Sequence, residues 1–291
     1  RAKKLLRDFA PDVVMGTGSY ISAPILLAAA ALRIPCMTHE ANALPGVSNR
    51  MVAQKVDKFL LAVPEAEKHL PQRQDYIVTG NPVRPEILAA DRAAARARLG
   101  VRPGQLCLLS FGGSLGAQTI NEAVAALMAW HVPEGKLHHI HATGQDGVEL
   151  LPRLLREKGV AYENNPNLDI REYIHDMPDC LAAADLVIAR AGAITLAELT
   201  AVGRASVLIP SPNVAENHQY HNAMVLANHK AAVVIEEKDL TGEKLMAAVK
   251  EMTADPEKLR EISLAAKALG VPNACGHITD ELLDLYKTHR K

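Results

Sequence analysis

Short β-branched or aliphatic runs alternate with longer helical patterns from one end of the chain to the other, which is the signature of parallel sheets covered by helices. A first series of strands is predicted near Val13-Val14-Met15, Cys36-Met37-Thr38, Phe59-Leu60-Leu61 and Tyr76-Ile77-Val78, with helices over 2–9, 22–32 and 47–55. A second series begins at Leu106–Phe111 and continues through 137–141, 168–171, 186–188, 207–209 and 232–235, which is enough for a complete doubly wound domain. Between the series, Gly80-Asn81-Pro82-Val83-Arg84-Pro85 breaks any regular element and suits an interdomain linker. The predicted domains are therefore 1–84, with an incomplete first sheet, and 85–272, while the last helix, near 277–289, follows a break at 270–273, so that 273–291 is free to pack back on the first domain.

The chain has 291 residues, 48% of them hydrophobic, more than one core usually accommodates. Its 32 basic and 33 acidic residues nearly cancel, so net charge proposes no nucleic acid and points toward small-molecule chemistry. Four dispersed cysteines, with no C-x-x-C, fit neither a zinc cluster nor a secreted disulfide framework; a reducing cytosol suits them. The apolar run Ala23–Leu32 is far short of the roughly 20 residues of a membrane span. Arg1–Phe9 carries no signal segment and reads as the interior of a domain, so an earlier segment is expected.

Three glycine-containing turns stand between a strand and a helix. In Phe111-Gly112-Gly113-Ser114-Leu115-Gly116-Ala117 the glycines expose backbone amides at a helix start, where they attract phosphate, and Ser114 adds a hydroxyl. The lysine of a nucleotide-hydrolysing P-loop is absent. Gly16-Thr17-Gly18-Ser19-Tyr20 imitates a dinucleotide fingerprint, but Ile21 stands where its third glycine belongs, although Glu40 lies where a ribose-binding acid would. In Arg190-Ala191-Gly192-Ala193-Ile194-Thr195-Leu196-Ala197-Glu198 the carboxylate sits one turn inside a helix, either accepting ribose hydroxyls or simply favoured there by the helix dipole. His138, His139 and His141 look like a metal tract; with no carboxylate or cysteine to complete a site, a strand end with incidental histidines is the better reading. His39 and Glu40 suit a base and its orienter, or the plainer task of shaping the Asn42 loop.

The order Gly16-Thr17-Gly18-Ser19-Tyr20, His39-Glu40-Ala41-Asn42, Gly80-Asn81-Pro82-Val83-Arg84, Gly112–Ala117, Arg190-Ala191-Gly192-Ala193 and Asn217-His218-Gln219 resembles the MurG family, the N-acetylglucosaminyltransferases of peptidoglycan synthesis. The resemblance implies a GT-B glycosyltransferase fold of two Rossmann-like doubly wound domains, the first incomplete here. It implies inverting transfer from UDP-N-acetylglucosamine to the lipid-linked acceptor lipid I, giving lipid II, on the cytoplasmic face of the bacterial plasma membrane, with no cofactor and no metal.

By position in the family pattern, Ser114 looks like the diphosphate contact and Ile174 like the backbone partner of uracil. Ala193, Ile194, Thr195, Leu196, Ala197 and Glu198 look like the nucleotide loop ending on the ribose. Gln219 and Asn42 look like sugar contacts, and Arg84 is similar to the linker arginine that completes the donor site. Gly16, Thr17, Gly18, Ser19 and Tyr20 would face the acceptor pyrophosphate. Ala41 departs from the family's glutamine and Ser19 from its glycine.

The family opens with a Gly-Gly-Thr-Gly-Gly-His turn that this chain lacks, two or three βα units of about 30 residues earlier. The resemblance places the base there, so no catalytic base is assigned and activity of this stretch alone is not implied. Two rivals remain: a UDP-N-acetylglucosamine 2-epimerase, and a non-catalytic donor-binding module completed by a separate N-terminal chain.

Overall fold

The computed structural model describes residues 1–73 and 75–289, and the chain divides into two compact units. The first holds Arg1–Val83, Val214–Asn222 and the residues from Val271 onward; the second holds Arg84–Asn213 and Ala223–Gly270. The last two positions of the 273–291 stretch lie outside the described residues.

In the first unit, β1 (Val14–Gly16), β2 (Cys36–Glu40), β3 (Lys58–Leu61) and β4 (Tyr76–Val78) form a parallel sheet in that spatial order. Such parallel neighbours need helical crossovers, which Ser19–Ala31 and Val47–Val52 supply for the first two connections. Leu26, Ala29, Val52, Phe59 and Leu61 fill one face of the sheet. The C-terminal helix Ala274–His289 covers the other, packing Ile278 and Leu285 on Met37 and Leu60. Lys58 Nζ clamps it with 2.6 Å contacts to Glu281 and Asp284. Val214–Asn222 joins this unit because Asn222 accepts from the Ala43 amide at 2.8 Å and donates to Asn42 at 3.0 Å.

The second unit is built on β5 (Leu106–Phe111), β6 (Leu137–Ala142), β7 (Leu168–Arg171), β8 (Leu186–Ala189), β9 (Ala205–Leu208) and β10 (Val233–Val234). All neighbours are parallel and the spatial order is β10-β9-β8-β5-β6-β7. Strand order therefore reverses between β5 and β8, and in a doubly wound sheet the crevice at the carboxyl ends of that pair is where ligands bind. Ile120, Val124, Leu127 and Met128 of the helix Gln118–His131 pack on the sheet with Leu108, Ile188 and Val207.

The histidine tract is not a strand end. His138, His139 and His141 lie in the body of β6, flanked by β5 and β7, and all three are buried. His139 and His141 share one face, as period-two alternation requires, and both enter hydrogen bonds with Ser110. His138 points the other way and neither of its ring nitrogens has a partner among the described residues.

Burial holds these rings neutral. His131 is pushed down to about 4 and His141 to about 3, while His139, His138 and His39 are also lowered from the ordinary value. In the unfolded chain each takes a proton near pH 6.5. Below that value the unfolded state binds more protons than the folded one, so stability falls with falling pH, by up to about 1.4 kcal/mol per pH unit for each such histidine. Urea midpoints at pH 7.5, 6 and 5 are expected to decline in that order, with little change above pH 7.5; a midpoint independent of pH across this range would contradict the burial argument.

Candidate functional site

In the second unit the two strands at the switch point each run into one of the turns singled out above. β5 leaves through Gly112–Ala117, closed by the Gly116 amide donating to the Gly113 carbonyl at 3.1 Å. Gly116 has φ +88°, and a Cβ there would stand 2.3 Å from the Thr143 carbonyl oxygen. That space belongs to the loop after β6, whose own Gly144 comes so close that its Cβ would meet the Gly116 nitrogen at 2.1 Å. The Asp146 amide also donates to the Leu115 carbonyl, at 3.1 Å. Gly113, Ser114 and Leu115 remain exposed at the tip.

Neither N-cap residue of the helices that follow offers a side-chain cap: Ala117 precedes Gln118–His131 and Gly192 precedes Ala193–Val202. Elsewhere in the same unit Asp91, Thr241 and Asp255 do cap their helices. Helix starts that lack such a carboxylate or hydroxyl at the N-cap, at the positive end of a helix dipole, suit an anion such as a diphosphate.

Glu198 lies in the helix Ala193–Val202, 7% exposed, with Oε1 accepting from Arg84 Nε at 3.0 Å. The Arg84 side chain is half exposed, so it joins a largely buried carboxylate to a solvent-facing cation. Arg190 has a different task. It donates to the Ile209 and Pro210 carbonyls at 3.2 and 3.3 Å and pairs with Glu237. Its charge is thus engaged at the end of β9, whereas Arg84 presents an exposed head. Ile174 follows β7 with its side chain buried, leaving backbone as what it offers, between Tyr173 and His175, whose rings lie 4.9 Å apart at a tilt of 58°.

In the first unit, β1 ends at Gly16 and the helix Ser19–Ala31 opens behind Gly18, at φ +91°, and Ser19, at φ +70°. A left-handed backbone at Ser19 gives the physical reason a glycine suits that place, the serine costing on the order of 1 kcal/mol. Glu40, 2% exposed, is an organiser of the next loop. Its carboxylate accepts from the Asn42 amide at 2.9 Å, Asn42 Nδ2 at 3.1 Å, the Gly46 amide at 3.0 Å and Asn49 Nδ2 at 2.7 Å. Of the tasks open to Glu40, the structure displays the shaping of the Asn42 loop. His39 donates from Nε2 to the Gly80 carbonyl at 2.9 Å and stays neutral through burial. Gln219 lies half-buried in the helix His218–Asn228.

Sequence reasoning missed Asn222, which fixes the Asn42 loop from 180 residues away. It also missed Asn121, which donates to the Thr143 carbonyl beneath Gly116 at 3.0 Å. Neither belongs to a motif; each matters only through its partner. The four cysteines are free, and burial pushes Cys36 up to about 11 and Cys107 and Cys180 up to about 12, so these three are thiols with no nucleophilic task. Among the described residues there is no cluster of metal-ligating side chains, and no helix is long and apolar enough to cross a membrane.

Comparison with known proteins agrees with this geometry. Residues 107–277 match the model of the glycosyltransferase family 28 C-terminal domain, and residues 1–61 match that of the family 28 N-terminal domain. The UDP-N-acetylglucosamine–N-acetylmuramyl-(pentapeptide) pyrophosphoryl-undecaprenol N-acetylglucosamine transferase of Desulforamulus reducens is 42% identical, over 94% of this chain and 74% of that protein. The crystal structure of Acinetobacter baumannii MurG superposes with a TM-score of 0.78 at 29% identity, covering 97% of this chain and 77% of that one. A UDP-GlcNAc 2-epimerase from Neisseria meningitidis, bound to UDP-GlcNAc, has a TM-score of 0.66 at 14% identity, over 97% of this chain and 79% of its own, a likeness of fold alone.

Proposed function

This chain belongs to glycosyltransferase family 28, and we propose from that membership that it transfers N-acetylglucosamine from UDP-N-acetylglucosamine to lipid I, the undecaprenyl-pyrophosphoryl-MurNAc-pentapeptide, giving lipid II for the bacterial cell wall. The observation that supports the reading is the switch point of the six-stranded sheet, where β5 and β8 each run through a glycine turn into a helix, together with the Arg84–Glu198 pair in the same unit.

The acceptor hydroxyl attacks the anomeric carbon with inversion while UDP departs, so negative charge grows on the diphosphate. Fixed amides at Ser114 and Thr195, with the Arg84 guanidinium, stabilise that charge without reorganising. Glu198 accepts the ribose hydroxyls and the backbone of Ile174 reads uracil. The turn Gly16–Tyr20 serves the acceptor pyrophosphate. Tyr20, Ile21 and Val47 are exposed on the same unit as that turn and supply apolar side chains for peripheral contact with the inner leaflet at the cytoplasmic face.

The reading is tested by supplying UDP-N-acetylglucosamine with and without lipid I. Lipid II formed only when the acceptor is present supports it; isomerisation of UDP-N-acetylglucosamine without acceptor would decide for an epimerase. Within the donor site, Glu198→Ala is expected to weaken UDP binding by about 1.5–3 kcal/mol, the worth of a charged hydrogen bond. Titration calorimetry on the folded variant reads it, and unchanged affinity would remove the ribose role from Glu198.

A further inference from the structure

Beneath the helix Gln118–His131 runs an unbroken line of polar contacts in an otherwise apolar core. His131 Nε2 lies 3.0 Å from His139 Nδ1, and His139 Nε2 lies 2.7 Å from Ser110 Oγ. Ser110 Oγ lies 2.6 Å from His141 Nδ1, and His141 Nε2 lies 2.8 Å from Asn121 Oδ1. Asn121 Nδ2 donates to the Thr143 carbonyl at 3.0 Å. His131 and Asn121 sit at opposite ends of one helix, ten residues and so about 15 Å apart.

The direction of every hydrogen bond follows from the last acceptor. A carbonyl only accepts, so the Asn121 amide must aim its NH₂ at Thr143 and its oxygen at His141. His141 then carries its proton on Nε2 and accepts at Nδ1 from the Ser110 hydroxyl. That hydroxyl, having donated, accepts from His139 Nε2–H, and His139 Nδ1 accepts from His131 Nε2–H. The line therefore begins at His131 Nδ1, a buried acceptor with no partner among the described residues. Five donors point one way, and three neutral rings share one tautomer.

The line ends at the Gly116 contact. The Thr143 oxygen is the atom a Gly116 Cβ would strike at 2.3 Å, and a Gly147 Cβ would meet Asn121 Nδ2 at 2.2 Å. Asn121 thus holds the loop after β6 against the turn after β5. Resting on the assignment of that turn to the donor diphosphate, we propose that Asn121 and His141 are positioning residues for UDP-sugar binding, holding the Gly113–Gly116 turn through the Thr143 carbonyl.

The test has a spectroscopic part and a binding part. Histidine ¹⁵N spectra of the chain at pH 7 are expected to show Nε2-protonated, Nδ1-unprotonated rings at His131, His139 and His141; an Nδ1-protonated ring at His141 would overturn the proposal. Asn121→Leu is expected to raise the dissociation constant of UDP by about tenfold or more, and His131→Phe, which cuts the far end, to leave it within about twofold at a similar loss of melting temperature. Equal effects from the two, tracking stability alone, would overturn the positioning role. If Asn121→Leu does not fold, His141→Gln, which keeps a donor toward Asn121 but offers no acceptor to Ser110, is expected to weaken UDP binding by severalfold, and unchanged binding counts against the proposal. Gly113→Val strains the turn directly, at φ +100°. Weaker binding in Gly113→Val but not in the Asn121 and His141 variants overturns the inference alone; no effect in any of them overturns the assignment of the turn as well.

Discussion

Replacing Gly116 by valine is expected to abolish measurable UDP binding and to destabilise the six-stranded unit by about 3 kcal/mol or more. Two costs add. The residue sits at φ +88°, a conformation a β-branched side chain adopts only under strain. The new Cβ would also meet the Thr143 oxygen at 2.3 Å and Gly144 Cα at 3.2 Å, both main-chain atoms that cannot swing aside as a side-chain tip would. That loop is pinned in turn, with the Thr143 amide on the Arg171 carbonyl at 2.9 Å and the Gly144 amide on Glu172 at 3.0 Å. Relief must come from the turn itself, which moves the Ser114 and Ala117 amides away from the position proposed for the diphosphate. Urea unfolding and UDP calorimetry read the two effects separately. A variant with parental stability and affinity would show that the turn tolerates displacement and is not the diphosphate cradle.

Glu40→Ala is expected to cost about 3–5 kcal/mol in the first unit while leaving UDP affinity within about twofold. The carboxylate is 2% exposed and accepts from four donors. Removing it strands one N–H of the buried Asn49 amide, whose other bonds go to His39 and Thr38, and the donors of Asn42 and Gly46, and leaves a cavity where the side chain stood. Glu40→Gln keeps the volume but turns an NH₂ toward groups that themselves donate, so it is expected to be milder yet still destabilising. Hydrogen exchange locates the damage: amides of residues 42–49 should lose protection before those of the six-stranded sheet. Retained protection over 42–49 in Glu40→Ala would mean that the loop is held from the Asn222 side alone.

Much of the backbone was written in local pattern. The predicted strands at Tyr76–Val78, Leu106–Phe111 and Leu168–Arg171 coincide with β4, β5 and β7, because apolar periodicity reports directly which side chains a strand buries. The helix expected over 22–32 instead runs Ser19–Ala31, with Pro24 inside it. Proline near a helix start reads locally as the first turn, whereas the fold places the true start at the carboxyl end of β1, on a left-handed serine that propensity argues against. β9 likewise runs Ala205–Leu208 rather than 207–209, since pairing with β8 from Leu186 onward sets its limits.

What the sequence determined by itself was the alternation of strand and helix, the glycine turns where each strand hands over to a helix, and through the order of those turns a family and its chemistry. Those are short-range properties, carried by residues whose neighbours in the chain suffice to explain them. Which groups meet was decided by strand order. Reversal between β5 and β8 brings two turns to one switch point, sets Arg84 on Glu198 across 114 residues, and leaves Arg190 to Glu237. The β6 histidines, unremarkable as a tract, acquire a single direction of hydrogen bonding only because a carbonyl on the neighbouring loop terminates their line. A hydrogen bond's energy depends on a partner at about 3 Å, and for these groups the fold, not the local chain, supplies that partner.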